Sequence, residues 1–127
     1  MVYWITGRKN AGKTTYAHKL RDELKRISNG QDTVLILDGD DVRIYFPRGF
    51  SDDDRRENIM TIARIAAIAE KQGIIVIVAC VSPRRCWRDE ARKMFSESRL
   101  IYIPGGTLWE NTTYEEPDTE ELERLHF

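Results

Sequence analysis

The stretch GRKNAGKTT, residues 7–15, decides the fold. It follows VYWIT, Val2 to Thr6, a short apolar run that reads as a buried strand. It leads into Lys13 to Ile27, where Ala17, Leu20, Leu24 and Ile27 fall on one face of an amphipathic helix. Gly7, Gly12, Lys13 and Thr14 match G-x-x-x-x-G-K-[ST], and the strand before and helix after are the context that motif needs. A loop of this kind wraps a phosphate so closely that backbone N–H groups donate to it, and glycine permits the approach. The positive end of the following helix points at the same phosphates. The whole stretch, Gly7, Arg8, Lys9, Asn10, Ala11, Gly12, Lys13, Thr14 and Thr15, is therefore the candidate nucleotide-binding segment. Lys13 can reach the β and γ oxygens of ATP, and the Thr14 hydroxyl can ligate Mg²⁺. The loop does not distinguish hydrolysis from transfer, because GTPases and motor ATPases use it too.

Working outward, TVLILD (Thr33 to Asp38) and IIVIVAC (Ile74 to Cys80) are apolar on consecutive positions, as parallel strands covered on both faces are. RLIYI, Arg99 to Ile103, is a fourth strand. A long helix is predicted from about Asp53 to Gln72, with Ile59, Ile62, Ala63, Ala66 and Ala69 on its packed face. Another is predicted from about Arg84 to Ser96, where Trp87, Ala91, Met94 and Phe95 read as core, and a short one from about Asp118. Alternating strands and helices give an α/β fold with a parallel sheet in three layers, a single P-loop nucleoside triphosphate hydrolase/kinase domain over residues 1–127.

The 127 residues suit one domain, and the net charge of -1 gives no global reason to expect nucleic acid or an anionic membrane as partner. The charge is uneven: nine arginines lie between Arg43 and Arg92, and seven acids between Glu110 and Glu123. Local ion pairs on helix faces are the plain account of both. Cys80 and Cys86 lack CxxC spacing, so neither zinc nor a disulfide framework is expected, and a reduced, cytoplasmic setting fits. His18 and His126 read as surface residues. No signal peptide is visible, and the longest apolar run is too short to span a bilayer.

Three further segments bear on the acceptor. LDGDDVR, Leu37 to Arg43, ends the second strand, and ligands gather beyond the carboxyl ends of strands in open α/β sheets. Asp38 and Asp40 are thus placed near the phosphate loop, to hold Mg²⁺ or to accept a hydroxyl proton. Arg43 can bind an anionic acceptor bidentately. In GFSDDDRRENI, Gly49 to Ile59, Ser51 is a helix N-cap with Asp54 at the capping-box spacing. Phe50 either stacks a base or serves as a hydrophobic staple, and Arg55 with Asn58 can hold an anion and a hydroxyl. Ser82 and Pro83 follow the third strand, with Arg84, Arg85 and Arg88 after them.

Taken in order, P-loop, L-D-G-D-x-V-R, G-F-S-x-x-D-R-x-E-N-I and I-V-I-x-A-x-x-S-P-x-R, the sequence resembles the adenylylsulfate (APS) kinase family from about Tyr3 to Arg92. The resemblance implies transfer of phosphate from ATP, with Mg²⁺, to the ribose 3′-hydroxyl of adenosine 5′-phosphosulfate. It implies that Asp40 assists Mg²⁺ and activates that hydroxyl, and that Lys13 and Arg43 share in catalysis. It implies that Arg43, Arg55 and Asn58 hold phosphosulfate and ribose, and that Phe50 stacks on adenine. Ser82 matches a serine sometimes described as a phosphoenzyme intermediate; a serine needs an adjacent base for that, so a polar contact or helix cap is the expected role. After Ile103 the sequence departs from the family's strand end and lid, and YEEPD, Tyr114 to Asp118, faintly resembles the stretch beyond the lid. Trp109 is a candidate for the lost stacking or for core cover. Without a lid, another nucleotide-like hydroxyl or a nucleic acid end stays open as acceptor, as does a non-catalytic binding module. A small domain with an open cleft can also pair as a homodimer.

Overall fold

A computed structural model describes residues 1–107 and 113–123. Four strands, β1 (Val2–Thr6), β2 (Val34–Asp38), β3 (Ile75–Ala79) and β4 (Ser98–Tyr102), form a wholly parallel sheet in the order β2-β3-β1-β4. The helices are α1 (Lys13–Ile27), α2 (Gly39–Tyr45), α3 (Asp52–Lys71), α4 (Arg85–Arg92) and α5 (Thr119–Glu123). Among the described residues no helix is long and apolar enough to cross a membrane.

The two faces of the sheet carry separate cores. Val2, Trp4, Val76 and Val78 meet Ile59, Ile62, Ala63 and Ala66 of α3 and Trp87, Ala91 and Phe95 on the other side of the same layer. Ile5, Ile77 and Ala79 meet Ala17 of α1, with Leu20 and Leu24 packed at the margin. Ile27 does not join that face: it is the last residue of α1 and is 66% exposed. The second strand is the sheet edge, so β2 is half-buried rather than fully covered.

Helix ends follow local chemistry. Ser51 caps α3, its Oγ accepting from the Asp54 amide at 3.1 Å. The fourth helix stops at Arg92, short of the predicted Ser96. Its last turn tightens into i→i−3 bonds, Met94 N to Ala91 O at 3.0 Å and Phe95 N to Arg92 O at 3.2 Å. Phe95 still reaches the core, 6.1 Å from the Trp4 ring. The α2 helix has no counterpart in the predicted elements; Asp38 caps it through the Asp40 amide at 2.8 Å.

Candidate active site

A cavity of about 480 Å³ opens beyond the carboxyl ends of β1, β2 and β3. Lys9, Asn10, Gly12, Lys13, Thr14 and Thr15 line one side of it. Asn10 (φ 61°) and Gly12 (φ 100°) adopt left-handed backbone, which turns successive amides toward one concavity. Gly12 is the position that needs glycine for its φ. Gly7 needs it for space, since a Cβ there would sit 2.6 Å from the Ile103 carbonyl oxygen.

Not every residue of the loop faces the cavity. Gly7, Arg8 and Ala11 are absent from its lining. Gly7 packs against the end of β4. Arg8 turns the other way, its guanidinium 2.9 Å from Glu116 and over the Tyr114 ring at 5.4 Å. Their contribution to a nucleotide is thus confined to backbone shape.

Lys13 Nζ donates to the Arg8 carbonyl at 2.7 Å, which parks the ammonium across the loop. Burial lowers its pKa, while the Asp38 and Asp40 carboxylates push the other way. Thr14 Oγ1 donates to Asp38 Oδ2 at 2.8 Å. The carboxylate against Thr14 is therefore Asp38, not Asp40. The reason is the helix that follows: Asp38 is its cap, with Oδ1 turned to the Asp40 amide and Oδ2 left for Thr14. Asp40 lines the cavity beside them and is exposed.

The facing wall is Arg43, Arg55, Asn58 and Ile59. Arg43 Nη1 donates to the Gly49 carbonyl at 2.9 Å, and its guanidinium covers the Phe50 ring at 4.5 Å. Burial, the nearby Arg55 and, more weakly, Arg48 lower the Arg43 pKa against the pull of Asp40 and Asp54. Two guanidinium groups lining one wall of a cavity favour an anion there. Asn58 is 5% exposed, and its Oδ1 has no hydrogen-bond partner among the described residues. A buried amide oxygen in a cavity wall is suited to receive a ligand hydroxyl.

Phe50 is not part of the cavity lining; it is 60% exposed, with Arg43 on one face. Ser82 borders the cavity, but its hydroxyl is used inside the protein. Oγ accepts from Trp4 Nε1 at 3.0 Å and donates to Thr6 Oγ1 at 2.8 Å. Arg84, not Ser82, occupies the N-cap position of α4, so the helix-cap role falls away. Arg84 instead meets Asp52 at 2.6 Å across the mouth between α4 and α3. Arg88 is buried and doubly bonded to Glu121, at 2.7 and 3.1 Å. Cys80 forms part of the floor, and burial drives its thiol pKa up to about 12. His18 is exposed as expected. Trp109 and His126 lie outside the described residues.

A strand, a phosphate loop and a helix facing an acidic strand end across one cavity define a P-loop kinase fold. The model of the adenylylsulphate kinase family matches residues 1–116, and the chain belongs to that family. Relatives include the adenylyl-sulfate kinase of Bacillus velezensis, 41% identical over 106 residues, covering 80% of this chain and 52% of that protein. The chain spans about half the length of the curated relatives it matches. Among solved structures, the hexameric APS kinase from Thiobacillus denitrificans superposes with a TM-score of 0.78 at 31% identity, over 93% of this chain and 23% of that one. The Mycobacterium tuberculosis APS kinase in complex with AMPPNP and APS gives 0.72 at 27% identity, over 80% and 61%.

Proposed function

We propose that the protein transfers the γ-phosphoryl group of ATP to the ribose 3′-hydroxyl of adenosine 5′-phosphosulfate. The products are ADP and 3′-phosphoadenosine 5′-phosphosulfate. The observation that carries this reading is a single cavity whose two walls suit the two substrates. One wall is the phosphate loop with Lys13 and Thr14; the other is Arg43, Arg55 and Asn58. Membership of the adenylylsulphate kinase family supports the choice of acceptor.

The roles divide as follows. Amides of the loop bind the donor phosphates, and Lys13 leaves the Arg8 carbonyl to meet the transferring group. Arg43 and Arg55 bind the phosphosulfate, and Asn58 Oδ1 accepts from a ribose hydroxyl. Asp38 is held against the Thr14 hydroxyl and the Asp40 amide, so it serves the Thr14 end of the cavity. That leaves Asp40 to take the proton of the 3′-hydroxyl as its oxygen bonds the γ-phosphorus and the bond to the β-phosphate oxygen breaks. The Thr14 hydroxyl and Asp38 carboxylate are hard oxygen donors and fit Mg²⁺, which prefers such ligands with water and substrate phosphates completing its shell. When bound there, Mg²⁺ would neutralise charge on the triphosphate. Holding the acceptor in line with the γ-phosphate is the larger part of such catalysis.

The test is ADP release with ATP, Mg²⁺ and adenosine 5′-phosphosulfate, beside a reaction without acceptor and one with Asp40→Asn. Acceptor-dependent release that falls about 10²-fold or more in the variant supports the reading. Release indifferent to the acceptor points to another hydroxyl, and ATP binding without any release points to a non-catalytic nucleotide-binding module.

A further inference from the structure

The segment from Tyr114 to Glu121 lies behind the phosphate loop, on the side away from the cavity, and meets the loop at its first residues. Tyr114 is 9% exposed. Its hydroxyl is 2.9 Å from Thr6 Oγ1, and Thr6 immediately precedes Gly7. The proton positions in this buried network can be deduced. Indole N–H can only donate, so Trp4 gives its hydrogen to Ser82 Oγ. Ser82 then donates to Thr6 Oγ1 at 2.8 Å, and Thr6 donates to the Val81 carbonyl at 2.7 Å. Thr6 has one acceptor position left, and the Tyr114 O–H fills it. Burial drives the Tyr114 pKa up to about 12, so that hydrogen stays in place at neutral pH.

The same tyrosine reaches the loop a second way. The Arg8 guanidinium lies over its ring at 5.4 Å and is held from the far side by Glu116 at 2.9 Å. The Arg8 carbonyl in turn accepts from Lys13 Nζ at 2.7 Å and from the Ala11 amide at 3.2 Å. Tyr114 itself is fixed. Its ring stacks on Tyr102 at 6.2 Å, the Glu115 amide donates to the Pro83 carbonyl at 2.8 Å, and Arg88 Nη2 donates to the Glu115 carbonyl at 2.8 Å. Behind it stands the fully buried Arg88–Glu121 pair.

We propose that Tyr114 is a positioning residue for the nucleotide, bracing the start of the phosphate loop through Thr6 and Arg8 and so setting where Lys13 stands. This rests on the phosphate loop binding ATP, as in the function proposed above, and not on the identity of the acceptor. The brace comes from a part of the chain over a hundred residues away from the loop, and the phosphate-loop motif says nothing of it.

The experiment is equilibrium binding of ATP by calorimetry, together with thermal unfolding, for the whole chain and for Tyr114→Phe, Thr6→Ser and Thr6→Val. Tyr114→Phe keeps the ring and loses one hydrogen bond, so it is expected to bind ATP about three- to tenfold more weakly. Its KM for the acceptor should not change. Thr6→Ser keeps the hydroxyl and should bind as the parent does. Tyr114→Phe added to Thr6→Val should weaken ATP no further than Thr6→Val alone, because the two remove one link. Unchanged ATP affinity in Tyr114→Phe, whatever happens to its unfolding temperature, overturns the proposal. So does Thr6→Ser binding as poorly as Thr6→Val. If Thr6→Val does not fold, Tyr114→Phe and Thr6→Ser decide alone. A parent that binds ATP but does not phosphorylate adenosine 5′-phosphosulfate defeats the acceptor assignment and leaves the binding comparison to judge Tyr114. A parent that does not bind ATP overturns both.

Discussion

The phosphate-loop wall of the cavity is made of backbone, whereas the facing wall is made of side chains held by other parts of the chain. On the first, Asn10 and Gly12 take left-handed conformations and Gly7 packs against Ile103, so the shape is set by a few dihedral angles. On the second, Arg43 stands where the Gly49 carbonyl and the Phe50 ring put it, and Asn58 where the core face of α3 puts it. A backbone wall tolerates most side-chain changes and fails abruptly at a few positions. A side-chain wall changes its preference with each substitution, so under the function proposed above acceptor specificity belongs to the facing wall.

Four outcomes would sharpen or break that contrast. The largest effect is expected at Lys13→Ala, a side chain that stands across the backbone wall: turnover should fall about 10²–10³-fold in an ADP-release assay. If Lys13→Ala costs no more than a change on the facing wall, the contrast is wrong. Next comes Arg88→Met, which removes both hydrogen bonds to the buried Glu121 and leaves it the longer contacts with Arg85 at 3.9 Å and Arg92 at 4.0 Å. It should lose about 3–5 kcal/mol in urea unfolding. A loss below about 1 kcal/mol would show the tail to be dispensable for stability. Arg43→Ala should raise the acceptor KM about tenfold, as expected for one charge-assisted bond, with the ATP KM unchanged. A rise in the ATP KM instead would mean the two walls share one ligand. The smallest effect concerns the floor between them. Iodoacetamide near pH 8 should label exposed Cys86 and spare Cys80, whose buried thiol is held neutral, until denaturant is added. Labelling of Cys80 in the folded protein would show the floor to be open.

What the sequence reveals follows the same division. The strand–loop–helix unit and the α3 face are legible because each is local: a run of β-formers, a glycine spacing, a 3.6-residue period. The α2 helix is not, because Gly39–Tyr45 is short and carries no apolar period; it exists through its Asp38 cap and its packing on α3. The burial of Arg88 is not legible, because its partner Glu121 is 33 residues away and nothing local announces it. Asp38 and Asp40 both read as site carboxylates, but only the cap geometry decides which of them meets Thr14. Ile27 continues the α1 stripe in sequence and lies exposed at the helix end, because periodicity does not tell which residues of a stripe are covered.

The strand order carries a consequence for the chain as it is being synthesised. The strand β1 is an inner strand, and both of its neighbours, β3 and β4, come from residues 75–102, far downstream of it. Until those residues emerge, its amides and carbonyls have only water, chaperones or wrong partners to pair with. The loop that β1 carries cannot take its final shape before then, since the Gly7 seat at Ile103 and the Tyr114 contact arrive later still. Nucleotide in the cell is therefore no help to the early chain, and ribosome-stalled chains ending before residue 98 are expected not to bind ATP. The phosphate loop is thus made before the strands that seat it and takes its shape only after them.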